Sequence, residues 1–216
     1  YTPIKHYEDM DVLYHDIAIA YQKAIRAFYD AGCRYLQLDD TSWGEFCDAN
    51  KRKAYKERGL DLDKIAKSYV DMINLALEEK PKDMTITMHI CRGNFRSTWF
   101  SSGGYEPVAE ILFGHCKVDG FFLEYDSERS GDFSPLRFIK DQKVVLGLIT
   151  SKFAHLEDKE EVKKRIQEAE QYVKKEQLCL SPQCGFSSTE EGNIMTEDEQ
   201  WAKVKLVKEI AEEVWN

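Results

Sequence analysis

The sequence predicts an α/β fold, a TIM (β/α)8-type barrel of which about five βα units are present. Three observations predict it. Short apolar runs alternate with longer segments of helical periodicity, the pattern of a parallel sheet with crossover helices. Five such strand-plus-helix units follow one leading helix. Polar residues also stand just past the apolar runs: Asp39 after Tyr35–Leu38, His89 and Cys91 after Met84–Met88, Glu124 after Val118–Leu123, and Cys184 after Gln177–Leu180. In such a barrel all strand C-termini open onto one face, where residues distant in sequence converge.

A closed barrel needs eight units. The chain ends on a complete unit and begins at Tyr1 rather than Met. The missing units are therefore expected to be N-terminal, and residues 1–216 are expected to form one catalytic barrel domain that is N-terminally incomplete. An open doubly wound sheet is the alternative.

The elements follow in order. A helix begins near Asp11, with Leu13, Ile17, Tyr21, Ile25 and Phe28 on one stripe and Gly32 as its stop. Tyr35–Leu38 reads as a short buried strand, followed by a polar stretch. A helix from Asp61 to Glu79 presents Leu62, Ile65, Tyr69, Met72 and Ala76, and Pro81 closes it. Thr85–Met88 is a strand, Arg92–Tyr105 a long loop and Pro107–Phe113 a short helix. Val118–Leu123 and Val144–Ile149 are strands, with a short helix expected at Pro135–Ile139. Asp158–Lys175 is a charged helix burying Val162, Ile166, Ala169 and Val173, and Gln177–Leu180 is the last strand. Thr196 and Glu199 form a capping box for a final helix that buries Trp201, Val204, Val207, Ile210 and Val214.

Composition narrows the function. The 216 residues carry a net charge of -9 with no basic block, which disfavours nucleic acid as a partner. No apolar stretch approaches a membrane span, and no signal peptide is visible. Six Cys residues scattered through a large Lys- and Glu-rich domain read as reduced thiols, so a cytoplasmic location is expected.

His89 and Cys91 lie two residues apart at a strand end and point to the same side. With Glu124 and Cys184 they make a plausible zinc shell of one imidazole, two thiols and a carboxylate. Each has a plainer reading. His89 can cap a strand, Cys91 can be a small apolar residue, Glu124 can pair with Arg129, and Cys184 can be a turn residue between Pro182 and Gly185. Cys47 is a reserve ligand. Cys33, Cys116 and Cys179 look structural, and His115 and His155 read as solvated or core residues. Ser101–Gly104 reads as a flexible loop or, as the second option, a phosphate cradle.

The order His-x-Cys, Glu after a strand, and Pro-x-Cys-Gly, preceded by Gln37-Leu-Asp39, resembles the C-terminal catalytic barrel of cobalamin-independent methionine synthase. The stretches His89–Ser97, Gly120–Asp126 and Leu180–Gly185 are closest to its short single-barrel bacterial relatives. The resemblance implies zinc held by His89, Cys91, Glu124 and Cys184. It implies that Asp39, the residue matched to a catalytic role, binds the amino group of homocysteine. It also implies a methyltransferase that moves a methyl group from a methylated tetrahydrofolate to homocysteine and gives methionine. Two departures stand out. Asp40-Thr41 replaces a Glu-Pro pair, and Thr150 stands where the larger enzymes carry a His proposed as proton donor, so no proton donor is carried over. Phe95, Trp99, Phe100 and Trp43 are candidates for stacking on a pterin or for loop packing. Arg92 and Arg96 are candidates for the glutamate tail of a folate or for solvated surface charge.

Overall fold

The computed structural model describes residues 6–216. Tyr1, the residue behind the expectation of an incomplete N-terminus, lies outside them. Five strands, β1 (Tyr35–Asp40), β2 (Thr85–Ile90), β3 (Gly120–Glu124), β4 (Lys143–Ile149) and β5 (Leu178–Pro182), form one sheet in the order β1-β2-β3-β4-β5. Every neighbouring pair is parallel. A doubly wound sheet reverses its strand order at a switch point. This order never reverses, so the chain is a five-stranded part of a (β/α) barrel and the doubly wound alternative falls.

The helices α1 (Met10–Asp30), α4 (Leu62–Leu77), α5 (Glu106–His115), α6 (Lys159–Ala169) and α7 (Glu197–Trp215) lie before, between and after the strands. Local chemistry sets their ends. The side chains of Asp9, Asp61 and Asp158 accept N-terminal backbone N–H groups of α1, α4 and α6. Thr196 and Glu199 form the capping box of α7. Gly32, at φ +98°, ends α1 in the left-handed conformation that glycine adopts without penalty.

The centre of the sheet is dry. β2, β3 and β4 bury nearly every residue, and a continuous core joins them to α4, α5 and α6. The four residues expected to be buried on α6 are buried, although the helix itself ends at Ala169.

Four expectations need correction. The polar stretch after β1 contains two short helices, α2 (Ser42–Cys47) and α3 (Ala49–Glu57). Among the described residues β1 lies at the sheet edge and is not buried there: it alternates exposed and half-buried positions, and Tyr35 is 53 % exposed. On α1, Tyr21 and Phe28 are exposed, and the buried residues are Leu13, Ala18 and Ile25. On α7 the buried face is turned from the expected one. Lys203 and Leu206 are buried with Ile210, while Trp201 is 57 % exposed. The cause is an ion pair: Lys203 Nζ lies 3.0 Å from both carboxylate oxygens of Glu157 and 2.7 Å from the carbonyl of His155. A hydrophobic stripe read by periodicity assumes that Lys faces water. A paired Lys inverts that assumption.

Candidate metal centre

The strand register brings the predicted residues together. Asp39 on β1 is the direct cross-strand neighbour of His89 on β2, and Glu124 ends the next strand. Cys91 follows β2, and Cys184 follows β5 after Gln183. One ligand atom each from His89, Cys91 and Cys184 lies within 4.8 Å of the other two. All three face the C-terminal mouth of the sheet, where barrels place their chemistry.

Glu124 stands against this cluster rather than within it. Its Oε1 lies 3.5 Å from His89 Nε2 and accepts the Arg92 backbone N–H at 2.9 Å. Its Oε2 accepts from Arg129 Nη2 at 2.8 Å, so the plainer ion-pair reading of Glu124 is also realised. Arg129 bridges on to Asp126 at 2.7 Å. The Tyr105 hydroxyl holds the backbone of Glu124 from both sides, accepting from its N–H and donating to its carbonyl.

Asp39 Oδ1 accepts from His89 Nδ1 at 3.0 Å, and His89 Nε2 faces the Gln183 carbonyl at 3.1 Å. The loop that follows β1 is capped by Asp40 instead, whose Oδ1 accepts from the Ser42 backbone N–H.

The electrostatics follow from this packing. Burial disfavours a charged His89, but the hydrogen bonds to Asp39 and Glu124 and the nearby negative charge outweigh it and raise its pKa to about 10. Burial would likewise raise Glu124, yet His89, Arg129 and the Arg92 N–H hold it below its ordinary range. The two thiols act as a pair. The hydrogen bond between them favours the Cys184 thiolate and holds the proton on Cys91. The pocket therefore offers two sulfurs, of which Cys184 is the more readily ionised, a ring nitrogen and a carboxylate.

Loops from three strands are tied around this cluster. Lys152, fully buried after β4, donates to Gly93 O at 3.0 Å, Asn94 Oδ1 at 3.2 Å and Thr98 O at 2.8 Å. Asn94 Nδ2 donates in turn to Gly185 O and Ser188 Oγ beyond Cys184. Ser97 Oγ donates to Asn193 Oδ1, and Gln183 Oε1 accepts from the Ser151 N–H. The sequence reading missed Lys152 and Asn94. The one available signal was a Lys three residues past the end of an apolar strand.

Other candidates lie elsewhere. Cys47 ends α2, buried, with its thiol pushed up to about 11 by desolvation, and is not in the cluster. Cys116 is buried beside the end of α5, and Cys33 and Cys179 are half-buried. His115 and His155 are exposed. Trp43 is fully buried, so it packs and is not open to a ligand. Arg92 is fully buried over the Tyr105 ring, against both readings made for it. The Ser101–Gly104 segment is no phosphate cradle. The N–H groups of Ser101, Ser102 and Gly103 are spent on Arg92 O, Asp48 Oδ2 and Arg129 O.

Residues 4–213 match the sequence profile of the cobalamin-independent synthase catalytic domain. The chain belongs to this family. YxjH of Bacillus subtilis, an uncharacterized protein, is 57 % identical over 211 residues, which are 97 % of this chain and 56 % of YxjH. A methionine synthase of Pyrococcus horikoshii is 23 % identical over 182 residues, covering 84 % of this chain and 45 % of that protein. The crystal structure of a protein described as a vitamin-B12-independent methionine synthase of Listeria monocytogenes superposes with a TM-score of 0.78 at 48 % identity. It covers 97 % of this chain and 57 % of that one. A B12-independent methionine synthase of a Shewanella species, solved with selenomethionine, superposes at 0.73 with 20 % identity over the same shares, a likeness of fold. The chain thus spans about half the length of the curated synthase-family relatives it matches.

Proposed function

We propose that this chain is the catalytic part of a zinc-dependent methyltransferase. It would move a methyl group from a methylated tetrahydrofolate to the thiol of homocysteine, giving methionine, in the cytoplasm. The single observation that carries the reading is the convergence of His89, Cys91 and Cys184 from two separate strand ends, with Glu124 beside them. Two sulfurs and an imidazole form a donor set that suits zinc and not magnesium or calcium. Three converging donors with a fourth drawn aside by Arg129 favour an open coordination position, which catalytic zinc sites keep and structural ones lack.

Zinc, when bound, would deprotonate the substrate thiol and hold it as the nucleophile. The protein's own part is positioning. Cys91, Cys184 and His89 would hold the ion, and Glu124 would complete the set or stay on Arg129 as the substrate arrives. The second oxygen of Asp39 accepts no hydrogen bond among the described residues, and the exposed carboxylate suits an ammonium group. The loop after β2 carries Phe95, Trp99 and Phe100, each more than 40 % exposed; Arg129 lies over the Trp99 ring and Lys51 over the Phe100 ring, so Phe95 is the ring best suited to stack on a pterin. Arg96 remains a candidate for the glutamate tail.

The test is zinc content and methyl transfer measured together on the full-length protein. About one zinc per chain is expected. Cys91→Ser and Cys184→Ser should each weaken zinc binding and abolish transfer from methyl-tetrahydrofolate to homocysteine while the fold persists. Reduced, carefully prepared protein with no affinity for zinc would defeat the proposal. Full activity in either Ser variant would defeat it equally.

A further inference from the structure

We infer that Asp39 is a positioning residue for His89: its carboxylate fixes the imidazole tautomer that presents Nε2 to the metal. The inference rests on the zinc reading above and goes beyond the amine-binding role that the resemblance assigns to Asp39.

Asp39 and His89 are register partners on parallel strands, so the backbone itself sets their approach. Asp39 Oδ1 lies 3.0 Å from Nδ1. An ionised carboxylate only accepts, so Nδ1 must carry a proton. The other nitrogen, Nε2, lies 3.1 Å from the Gln183 carbonyl and 3.5 Å from the Glu124 carboxylate, on the Cys184 side of the pocket, and must give up its proton there to take a metal. A ring rotated to offer Nδ1 would lose the Asp39 bond and turn Nε2 toward β1. Ring nitrogens that bind metals are commonly held this way, through a carboxylate on the opposite nitrogen. The contact is well placed for the task, because the His89 side chain is 7 % exposed and cannot reorient freely.

Asp39 is free to serve in this role. Among the described residues no backbone N–H bonds to it, since the loop it precedes is capped by Asp40. Its side chain is 60 % exposed, and only one of its oxygens is engaged. The second oxygen is left to solvent. One carboxylate can therefore orient the ligand from behind and receive a substrate ammonium from the front. Removing the Asp39 side chain should then disturb both metal and substrate.

Two measurements test this. In the zinc-loaded full-length protein, nitrogen-15 NMR of labelled His89 should show a proton on Nδ1 and metal on Nε2. The opposite tautomer would overturn the inference without any mutation. Competition with a chromophoric chelator should then show Asp39→Ala binding zinc about 10- to 100-fold more weakly than wild type. Asp39→Asn, which keeps an acceptor oxygen for Nδ1–H, should recover most of that loss. Equal zinc affinity in wild type and Asp39→Ala, with unchanged urea midpoints, would overturn the inference. If wild type itself fails to bind zinc, it is the proposed function that fails. Homocysteine use should fall in both variants, which separates the substrate role from the metal role.

Discussion

Gly147 is the position where one added methyl group should reach the metal centre from outside it. It sits in the middle of the parallel strand β4, paired with Glu124 on one side and Ser181 on the other. A Cβ placed there would lie 2.6 Å from Gln183 Cα and 2.8 Å from Leu123 O. Both are backbone atoms, so neither can swing away as a side-chain tip can. Against an ordinary contact of 3.4 Å the overlaps are about 0.8 and 0.6 Å. Overpacking of this kind costs about 1–3 kcal/mol. The relief available is to push the chain after β5 outward, and Gln183 is the residue before Cys184. Metal sites hold their distances to about 0.2 Å, so a shift of several tenths should cost zinc affinity at least tenfold, or about 1.4 kcal/mol. The assay pairs thermal unfolding with chelator competition on Gly147→Ala. Gly114→Ala serves as control, because a Cβ there meets nothing within 4 Å. Wild-type zinc affinity and wild-type stability in Gly147→Ala would refute the claim that the close approach of β4 to the β5 end sets the pocket.

Further outcomes follow from the buried charges. Lys203→Met should destabilise the protein by about 3 kcal/mol in urea unfolding, because it strands Glu157, which is 15 % exposed, without its cation. Lys152→Met should loosen the loop after β2, seen as faster hydrogen exchange over residues 93–98, since three acceptors lose one shared donor. In zinc-free protein the His89–Glu124 pair has a defined pH window. His89 is raised, so its contribution is full below its ordinary value of 6.5 and fades as pH rises toward about 10. Glu124 is lowered, so its contribution is full above its ordinary value of 4.5 and is lost on acidification. The stability difference between wild type and His89→Gln should therefore be greatest between these values and shrink by pH 9. Zinc binding must displace the His89 proton, so calorimetry near pH 7 in buffers of different ionisation enthalpy should register proton release.

Much of the fold was legible because each element carried two agreeing signals. β2, β3 and β4 are apolar runs bounded by loops, and α6 has both a capping Asp158 and a clean buried stripe. The convergence of His89, Cys91 and Cys184 was legible for a topological reason: a parallel barrel sends every strand end to one face. What failed had a physical cause in each case. α2, at six residues, is too short to show periodicity, and α3 is too polar, with no buried residue. The α7 face was misread because Lys203 is buried through Glu157, a residue 46 positions away. Arg92 looked like a surface charge because nothing in its neighbourhood announces that Tyr105 stacks beneath it. Asp39 was read only as a binder of the homocysteine amine, and its contact with His89 went unread. The strand register that joins it to His89 is a tertiary fact and not a local one.

The ties between Lys152, Asn94, Gly185 and Ser188 carry an evolutionary consequence. Loops at a barrel mouth normally vary one by one, which lets a single scaffold explore new chemistry. Here the loop after β2 cannot drift without releasing the loop after β5, because Asn94 grips both Lys152 and the turn beyond Cys184. Positions 94, 152 and 188 should therefore change together across homologous sequences, as one inherited unit, while the exposed residues between them, such as Phe153, vary independently.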